Sequence, residues 1–292
     1  MRHTHRVGVL LLLPAVAVIL AILVLPVLQT LLLSVARNTT SVLQAFEFAG
    51  IANYERLFMT PRFRTAIANT LVFAGVTVPL ELVFGIVLAL LLNRHLPGRW
   101  LVRMAILLPW ALPTALNALM WRWMFNTEFG LFNALLQGSG LIEQRINWIG
   151  GIPIAMASMM AVSVWKTSSF VALLLLAGLQ AIPRELYEAA EVDGANAWSR
   201  FWAITLPLLR PAILVALLLR TMDALRAFEL PFNLTDGGPL TSTETLSLYA
   251  YRVIFQYVNF NLGAAAMVVQ FAIIMLVALL YIVTLRRRDP YA

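Results

Sequence analysis

The sequence predicts an all-α, polytopic membrane protein with six transmembrane helices. Of its 292 residues, 61% are hydrophobic and only 12% charged, and its mean hydropathy is +0.84, outside the balance of soluble domains. Apolar runs long enough to cross a ~30 Å hydrocarbon core at ~1.5 Å per residue recur at about 7–36, 69–93, 101–125, 152–178, 207–230 and 263–285. No cysteine occurs, which excludes disulfides, thiol catalysis and cysteine metal sites. Residues 1–292 read as a single transmembrane domain.

The first run follows Arg2 and Arg6 but is too long for a ~7 to 15-residue signal core, so it is expected to persist as an anchor. Pro14 and Pro26 should kink it. The net charge of +7 does not point to nucleic acid, because the arginines flank apolar runs and form no aromatic-laced basic patch. Counted with flanking residues, 11 Lys and Arg fall on one set of connecting segments totalling 48 residues and 7 on the other, totalling 90. The denser set should be cytoplasmic, which places both termini and the 179–206 loop there.

Segment 37–68, with Asn53 and Tyr54, reads as a solvated connector in which Pro61 opens a short interfacial helix. Span 2 carries Glu81 between Pro79 and Gly85. A carboxylate at that depth costs about 2.5 to 3.5 kcal/mol on insertion scales and needs a partner, a watery cavity or a proton. Pro97-Gly98 marks a tight turn, and span 3 holds Pro109, Pro113 and Asn117 before an expected interfacial belt of Trp121, Arg122 and Trp123. Around the middle of span 4 lie Ser163, Trp165, Lys166, Thr167, Ser168 and Ser169. Serines at such positions often serve helix packing, but an ammonium there needs a partner or a water path.

Span 5 has Arg220, Asp223, Arg226 and Glu229 at three-residue steps with alternating sign. On one helix these neighbours would partly neutralise one another and spiral over nearly half the circumference. Two explanations stand: a hydrated pathway, or structural ion pairs with Glu81 and Lys166. Asp236-Gly237-Gly238-Pro239 is a turn signal. Thr245 to Tyr257 has helical apolar spacing, and Arg286-Arg287-Arg288 reads as a stop signal.

The loop between spans 4 and 5 is unusually specific. Pro183 suits the first position of a short helix, Glu185 complements its positive end, and Gly194 suits a left-handed termination. A second helix would set Trp198, Phe201 and Trp202 on one face. Glu188-Ala189-Ala190, Asp193-Gly194-Ala195, Phe201, Ile204, Leu206-Pro207 and Pro211 resemble the EAA loop of bacterial ABC importer permeases. Leu225 to Glu229, Leu234 to Pro239, Leu248 to Tyr251 and Gly263 to Ala266 are similar to the C-terminal third of carbohydrate-uptake permeases of the maltose, glycerol-phosphate and trehalose class. That class usually has glycine where this chain has Asp236, and Glu81 is not expected in it.

The resemblance implies a type I ABC importer permease fold in the bacterial plasma membrane, serving import of a di- or oligosaccharide such as trehalose or a maltose-like sugar. It implies a second similar permease subunit, two cytoplasmic ATPase subunits that bind ATP and Mg, and an extracytoplasmic sugar-binding protein, with no cofactor on this chain. Glu188, Ala189, Ala190, Asp193, Gly194, Trp198, Phe201 and Pro207 would contact the ATPase or shape the loop that does.

Sugar sites combine hydroxyl-binding polar groups with aromatic faces, so the candidate pathway residues are Asn117, Ser163, Lys166, Thr167, Phe170, Asp223 and Arg226. Alternatives are a permease for glycerol phosphate or another small polar solute, and an ion-coupled transporter using Glu81, Lys166 and Asp223 as a relay. No internal repeat supports an inverted-repeat transporter. An enzyme is not expected: His3 and His5 lie in the tail, His95 lies in a turn, and no metal or nucleophile constellation is visible.

Overall fold

Long apolar runs become long helices because a backbone surrounded by hydrocarbon must bond to itself. The computed structural model describes residues 12–37, 47–94 and 98–286. Arg2, His3, His5, Arg6, His95, Pro97, Arg287 and Arg288 lie outside the described residues. In chain order the helices are α1 (Leu12–Ser34), α2 (Ala52–Met59), α3 (Pro61–Asn93), α4 (Arg99–Ala111), α5 (Thr114–Met124), α6 (Leu131–Gly138), α7 (Ile152–Gln180) and α8 (Arg184–Val192). They continue with α9 (Ala197–Leu225), α10 (Glu229–Leu234), α11 (Leu246–Phe255) and α12 (Phe260–Arg286).

Five helices, α1, α3, α7, α9 and α12, are long and apolar enough to span a membrane, and the α4/α5 pair makes a sixth if counted as one span. The expected continuous span 101–125 is instead broken, with α4 and α5 meeting at 96°. Pro113 is the reason. Leu112 precedes it and takes an extended conformation, ψ 133°, as the residue before a proline must to avoid the pyrrolidine ring.

Pro61 also differs from expectation, since it opens the spanning helix α3 itself, while the separate short helix before it is α2. Proline suits a first helical turn, where its missing N–H has no partner to lose. Two other prolines are absorbed without a break. A π-helical turn at Leu20–Val24 comes just before Pro26, and another at Phe201–Thr205 just before Pro207. Widening the turn relieves the clash between the proline ring and the carbonyl four residues back.

Two compact units divide the chain. In the unit formed within residues 1–64 and 249–272, the segment expected to be a solvated connector caps α1. Asn53 Nδ2 donates to Ser34 O at 2.9 Å and Ala36 O at 2.8 Å, the Tyr54 hydroxyl donates to Ser34 Oγ at 2.7 Å, and Asn261 Nδ2 donates to Leu33 O at 3.0 Å. These donors satisfy carbonyls that the end of a helix leaves open.

The larger unit, within residues 65–248 and 273–292, holds the close crossings that position the site. A Cβ on Gly85 of α3 would sit 2.4 Å from Val171 Cγ1 of α7, and one on Gly178 of α7 would sit 2.8 Å from Ala212 Cβ of α9. Glycine lets membrane helices approach this closely, where packing and not hydrophobicity drives association. Gly85→Val is expected to cost ~1 to 3 kcal/mol, the usual penalty of overpacking. The check is thermal unfolding of the purified protein, with Val171→Ala added to Gly85→Val expected to recover part of the lost stability by removing the Cγ1 contact.

Candidate functional site

Three helices converge on one carboxylate. Glu81 of α3 is wholly buried and accepts hydrogen bonds from two side chains. Arg220 of α9 reaches it with Nε to Oε2 at 2.8 Å and Nη2 to Oε1 at 3.4 Å, and Ser163 Oγ of α7 donates to Oε1 at 3.0 Å. A two-point guanidinium fork and a hydroxyl give both carboxylate oxygens donors, as a buried ion pair needs for its attraction to offset desolvation.

The fork has a third direction. Arg220 Nη1 donates to Asp223 Oδ2 at 3.3 Å, and Arg226 Nη2 donates to Asp223 Oδ1 at 2.9 Å. Side-chain exposure rises along this chain, from 0% at Glu81 and 10% at Arg220 to 50% at Asp223 and 56% at Arg226. One helix carries only part of the expected spiral, because α9 ends at Leu225 and Glu229 opens the separate α10. The Arg220 and Asp223 pair sits at i, i+3 as expected, but Arg220's shortest contact is the carboxylate 139 positions away.

Lys166 is engaged by the break in span 3. Its Nζ donates to Leu112 O at 2.8 Å and Trp110 O at 3.3 Å, carbonyls at the end of α4 that Pro113 leaves without helical partners. A cation there also complements the negative end of a helix. Trp110 in turn stacks on Phe170 of α7, with ring centroids 5.5 Å apart.

These elements enclose a cavity of about 470 Å³, within the ~300 to 1,000 Å³ of small-molecule sites. Of the residues singled out from sequence, Asn117, Ser163, Lys166, Thr167, Asp223 and Arg226 line it. Phe170 stands behind Trp110, which lines the cavity in its place. Thr167 spends its hydroxyl on Ser163 O at 2.6 Å.

Asn117 is different. It is 1% exposed, and neither its amide oxygen nor its nitrogen has a hydrogen-bond partner among the described residues. Leaving both unpaired is costly, so this amide is a natural place for a ligand. Trp110 and Thr114, not singled out from the sequence, also line the cavity, as do Arg220 and Glu229 of the span 5 charge series. The clustered prolines around Trp110 were the available signal. Trp121, expected at the membrane interface, packs inward against Phe132 at 5.5 Å and Trp165 at 5.2 Å.

A second, apolar groove of about 620 Å³ runs between α3 and α7, with Trp165 and Ser168 its only polar side chains. Ser168 Oγ already donates to Val164 O at 2.6 Å. It offers little to a hydroxylated ligand.

The loop after α7 forms a helical hairpin. Pro183 stands one position earlier than expected, as the N-cap of α8, and Gly194 has φ +78°, the left-handed conformation that glycine reaches without strain. Asn196 then caps the next helix by accepting from Ser199 N at 2.8 Å. No free-standing second helix follows, because Ala197–Arg200 runs through the π turn into α9 without a break.

Glu188, Ala189, Asp193 and Gly194 are exposed and Ala190 is half-buried, as the hairpin's outer side requires. Val192 is 89% and Trp198 70% exposed. Trp198, Phe201 and Trp202 share a face as expected, with Phe201 and Trp202 centroids 5.5 Å apart. The Tyr187 hydroxyl meets Thr205 Oγ1 at 2.9 Å, and Arg200 Nη1 donates to Glu191 at 2.9 Å, closing the hairpin on itself. Pro207 lies at the start of the α-helical part of α9.

A bundle of spanning helices that encloses a polar cavity and carries a solvent-facing hairpin between two of its central spans is the build of a membrane permease. The chain belongs to the family of binding-protein-dependent transport system inner membrane components, whose pattern matches residues 81–288. It is 40% identical over 285 residues to the trehalose/maltose transport system permease protein MalF of Thermococcus litoralis, covering 97% of this chain and 95% of that one. It is 42% identical over 283 residues to the sulfoquinovosyl glycerol transport system permease protein SmoG of Agrobacterium fabrum, covering 97% and 91%. Its fold matches a chain of the bacterial alginate ABC transporter, crystallised in complex with an alginate pentasaccharide-bound periplasmic protein. The TM-score is 0.84 at 25% identity, covering 96% of this chain and 93% of that one. The protein is thus a multi-pass inner-membrane component of a transport system.

Removing one member of the buried pair should be far worse than removing both. Arg220→Leu leaves Glu81 uncompensated and is expected to cost ~3 to 5 kcal/mol, whereas Glu81→Leu with Arg220→Leu should recover most of that loss. Melting temperatures of the three purified variants check the difference.

Proposed function

We propose that this chain is the permease subunit of an ATP-driven sugar importer and forms half of an alternating-access pathway for a di- or oligosaccharide of the trehalose or maltose type. The observation that carries this reading is the cavity itself. It pairs an aromatic face at Trp110 with a buried, unpartnered amide at Asn117, the combination that a hydroxyl-rich ring with one apolar side requires. Relatives named for trehalose, maltose and sulfoquinovosyl glycerol transport, and the alginate importer, support a saccharide cargo.

In this reading a second, similar permease completes the pathway, and an extracytoplasmic binding protein delivers the sugar. Two copies of a cytoplasmic ATPase bind ATP and Mg, and both termini of this chain are cytoplasmic. Asn117, Ser163, Lys166, Thr167, Asp223 and Arg226 form the polar wall of the cavity, and Phe170 braces Trp110. The α8 hairpin docks on the ATPase. Glu188 offers a carboxylate to an ATPase cation, Ala189 and Ala190 allow close approach, and Asp193 with Gly194 turns the chain. Trp198, Phe201 and Pro207 tie that turn to α9.

The coupling role is tested at two exposed positions. Glu188→Arg reverses the charge offered, and Gly194→Pro cannot adopt φ +78°. Uptake of labelled sugar in cells with the full transporter is expected to fall at least ~tenfold in each, within the range of measured coupling between sites, while membrane levels of the protein stay constant. Normal uptake in either variant would remove the loop from the mechanism.

A further inference from the structure

The cavity is crowded with ionisable groups, yet its cations are all engaged. Lys166, Arg220, Asp223, Arg226 and Glu229 line it, and Glu81 backs it through Arg220. Three formal cations thus face three formal anions. Arg220 is held by Glu81 and Asp223, Arg226 by Asp223 and by Met222 O at 3.2 Å, and Lys166 by two backbone carbonyls. Among the anions, Glu229 is exposed and forms no ion pair among the described residues, so its charge offsets that of Lys166, which also has no carboxylate partner among them.

An acidic sugar entering here meets no guanidinium free of a carboxylate, and the one ammonium, Lys166, shares the cavity with Glu229. To gain Arg220, it must pull the guanidinium from Glu81 and leave that wholly buried carboxylate bare, which is strongly unfavourable. An uncharged sugar makes no such demand. Its hydroxyls donate and accept, and so does the Asn117 amide, whose two polar atoms lack partners.

We infer that this cavity is selective for uncharged saccharides and that Glu81 is the residue that sets the selectivity, by cancelling Arg220 from behind. Glu81 does not itself line the cavity, so it acts through Arg220 as a positioning and charge-matching group. The inference rests on the importer reading above and narrows it. It sets this chain apart from the structurally similar importer of alginate, an acidic polysaccharide, and from its relative named for sulfoquinovosyl glycerol, whose sugar bears a sulfonate.

The experiment compares maltose with maltobionate, a glucosyl sugar acid of similar size that carries one carboxylate. Equilibrium dialysis of each labelled ligand is run against the purified importer complex in lipid nanodiscs, without the external binding protein, at low and high salt. The native complex is expected to favour maltose by ~tenfold or more, the discrimination that ~1.4 kcal/mol provides. Glu81→Gln should shift the preference toward maltobionate by at least ~tenfold, with the gain fading as salt screens the released guanidinium. Glu81→Asp, which keeps a carboxylate, should move back toward the native preference.

Equal or tighter binding of maltobionate by the native complex overturns the inference while leaving the importer reading intact. So does a Glu81→Gln complex that loses both ligands in proportion. If Glu81→Gln does not assemble, Asp223→Asn decides, because its carboxylate is half-exposed and its loss frees Arg226. It should shift the preference in the same direction, and no shift overturns the proposal. Failure of the native complex to hold either ligand removes the sugar reading and this inference with it.

Discussion

The polar half of this protein depends on the pairing of Glu81 with Arg220. A charged side chain in the centre of a spanning helix carries a cost of about 2.5 to 3.5 kcal/mol on insertion scales. Two such groups on different helices, α3 and α9, are tolerable only if they meet. They do so with a two-point fork, and Ser163 of α7 adds a second donor to Oε1. Buried ion pairs are poor sources of stability, since apolar replacements of both partners are often neutral or better. What the pair supplies is direction. It fixes the plane of the Arg220 guanidinium, and the nitrogen left over holds Asp223, which holds Arg226. Position is thereby handed from a wholly buried residue to one that faces the cavity.

Proline drives the second constraint, and Pro26, Pro207 and Pro113 show two answers to it, while Pro79, Pro109 and Pro211 stay inside α-helices. Before Pro26 and Pro207 the helix widens by a π turn and continues. At Pro113 it breaks, and the carbonyls released there are satisfied by a side chain from another helix, Lys166 of α7. The first answer is local and leaves the helix axis intact. The second chains the α4/α5 elbow to α7, because any separation of the two strands a cation and two carbonyls in a region with little water. Lys166 is thus both a wall of the cavity and the pin of its elbow.

How much of this was legible follows from the range of each interaction. Span existence is local, and the long apolar runs located every spanning helix. Gly194 and the Asp236-Gly237 turn were readable because positive φ is a property of single residues. The breaks were harder. Pro61 was assigned the wrong consequence and the break at Pro113 was not foreseen, since a proline opens, kinks or ends a helix according to what can receive its freed carbonyls, and that partner lies elsewhere in the chain. Glu229 looked like a member of the span 5 spiral because three-residue spacing continues through the helix end at Leu225. The link between Glu81 and Arg220 spans 139 positions. Sequence offered it only as one of two explanations, and could not say which charge would meet which. Phe170 stacks on Trp110, which lines the cavity, and composition does not separate an aromatic that lines a cavity from one that packs behind it.

The route from hairpin to cavity is short and stiff. From Trp198 to Arg220, α9 is one helix, about 33 Å at ~1.5 Å per residue, softened by the π turn and by Pro207 and Pro211 in its lower half. A tilt of ~5° pivoted at Trp198 would carry Arg220 about 3 Å sideways, enough to break a hydrogen bond whose useful range spans only ~0.5 Å. Arg220 can therefore keep Glu81 during such a movement only if α3 travels with α9. The close approaches at Gly178 and Gly85 link α9 to α7 and α7 to α3, and interlocked contacts of that kind resist sliding more than they resist moving as a body. The three helices that share the buried charge are thus constrained to move together. The elbow, where two helices meet at 96° and a single lysine holds both exposed carbonyls, is the place where the larger unit can yield around its cavity.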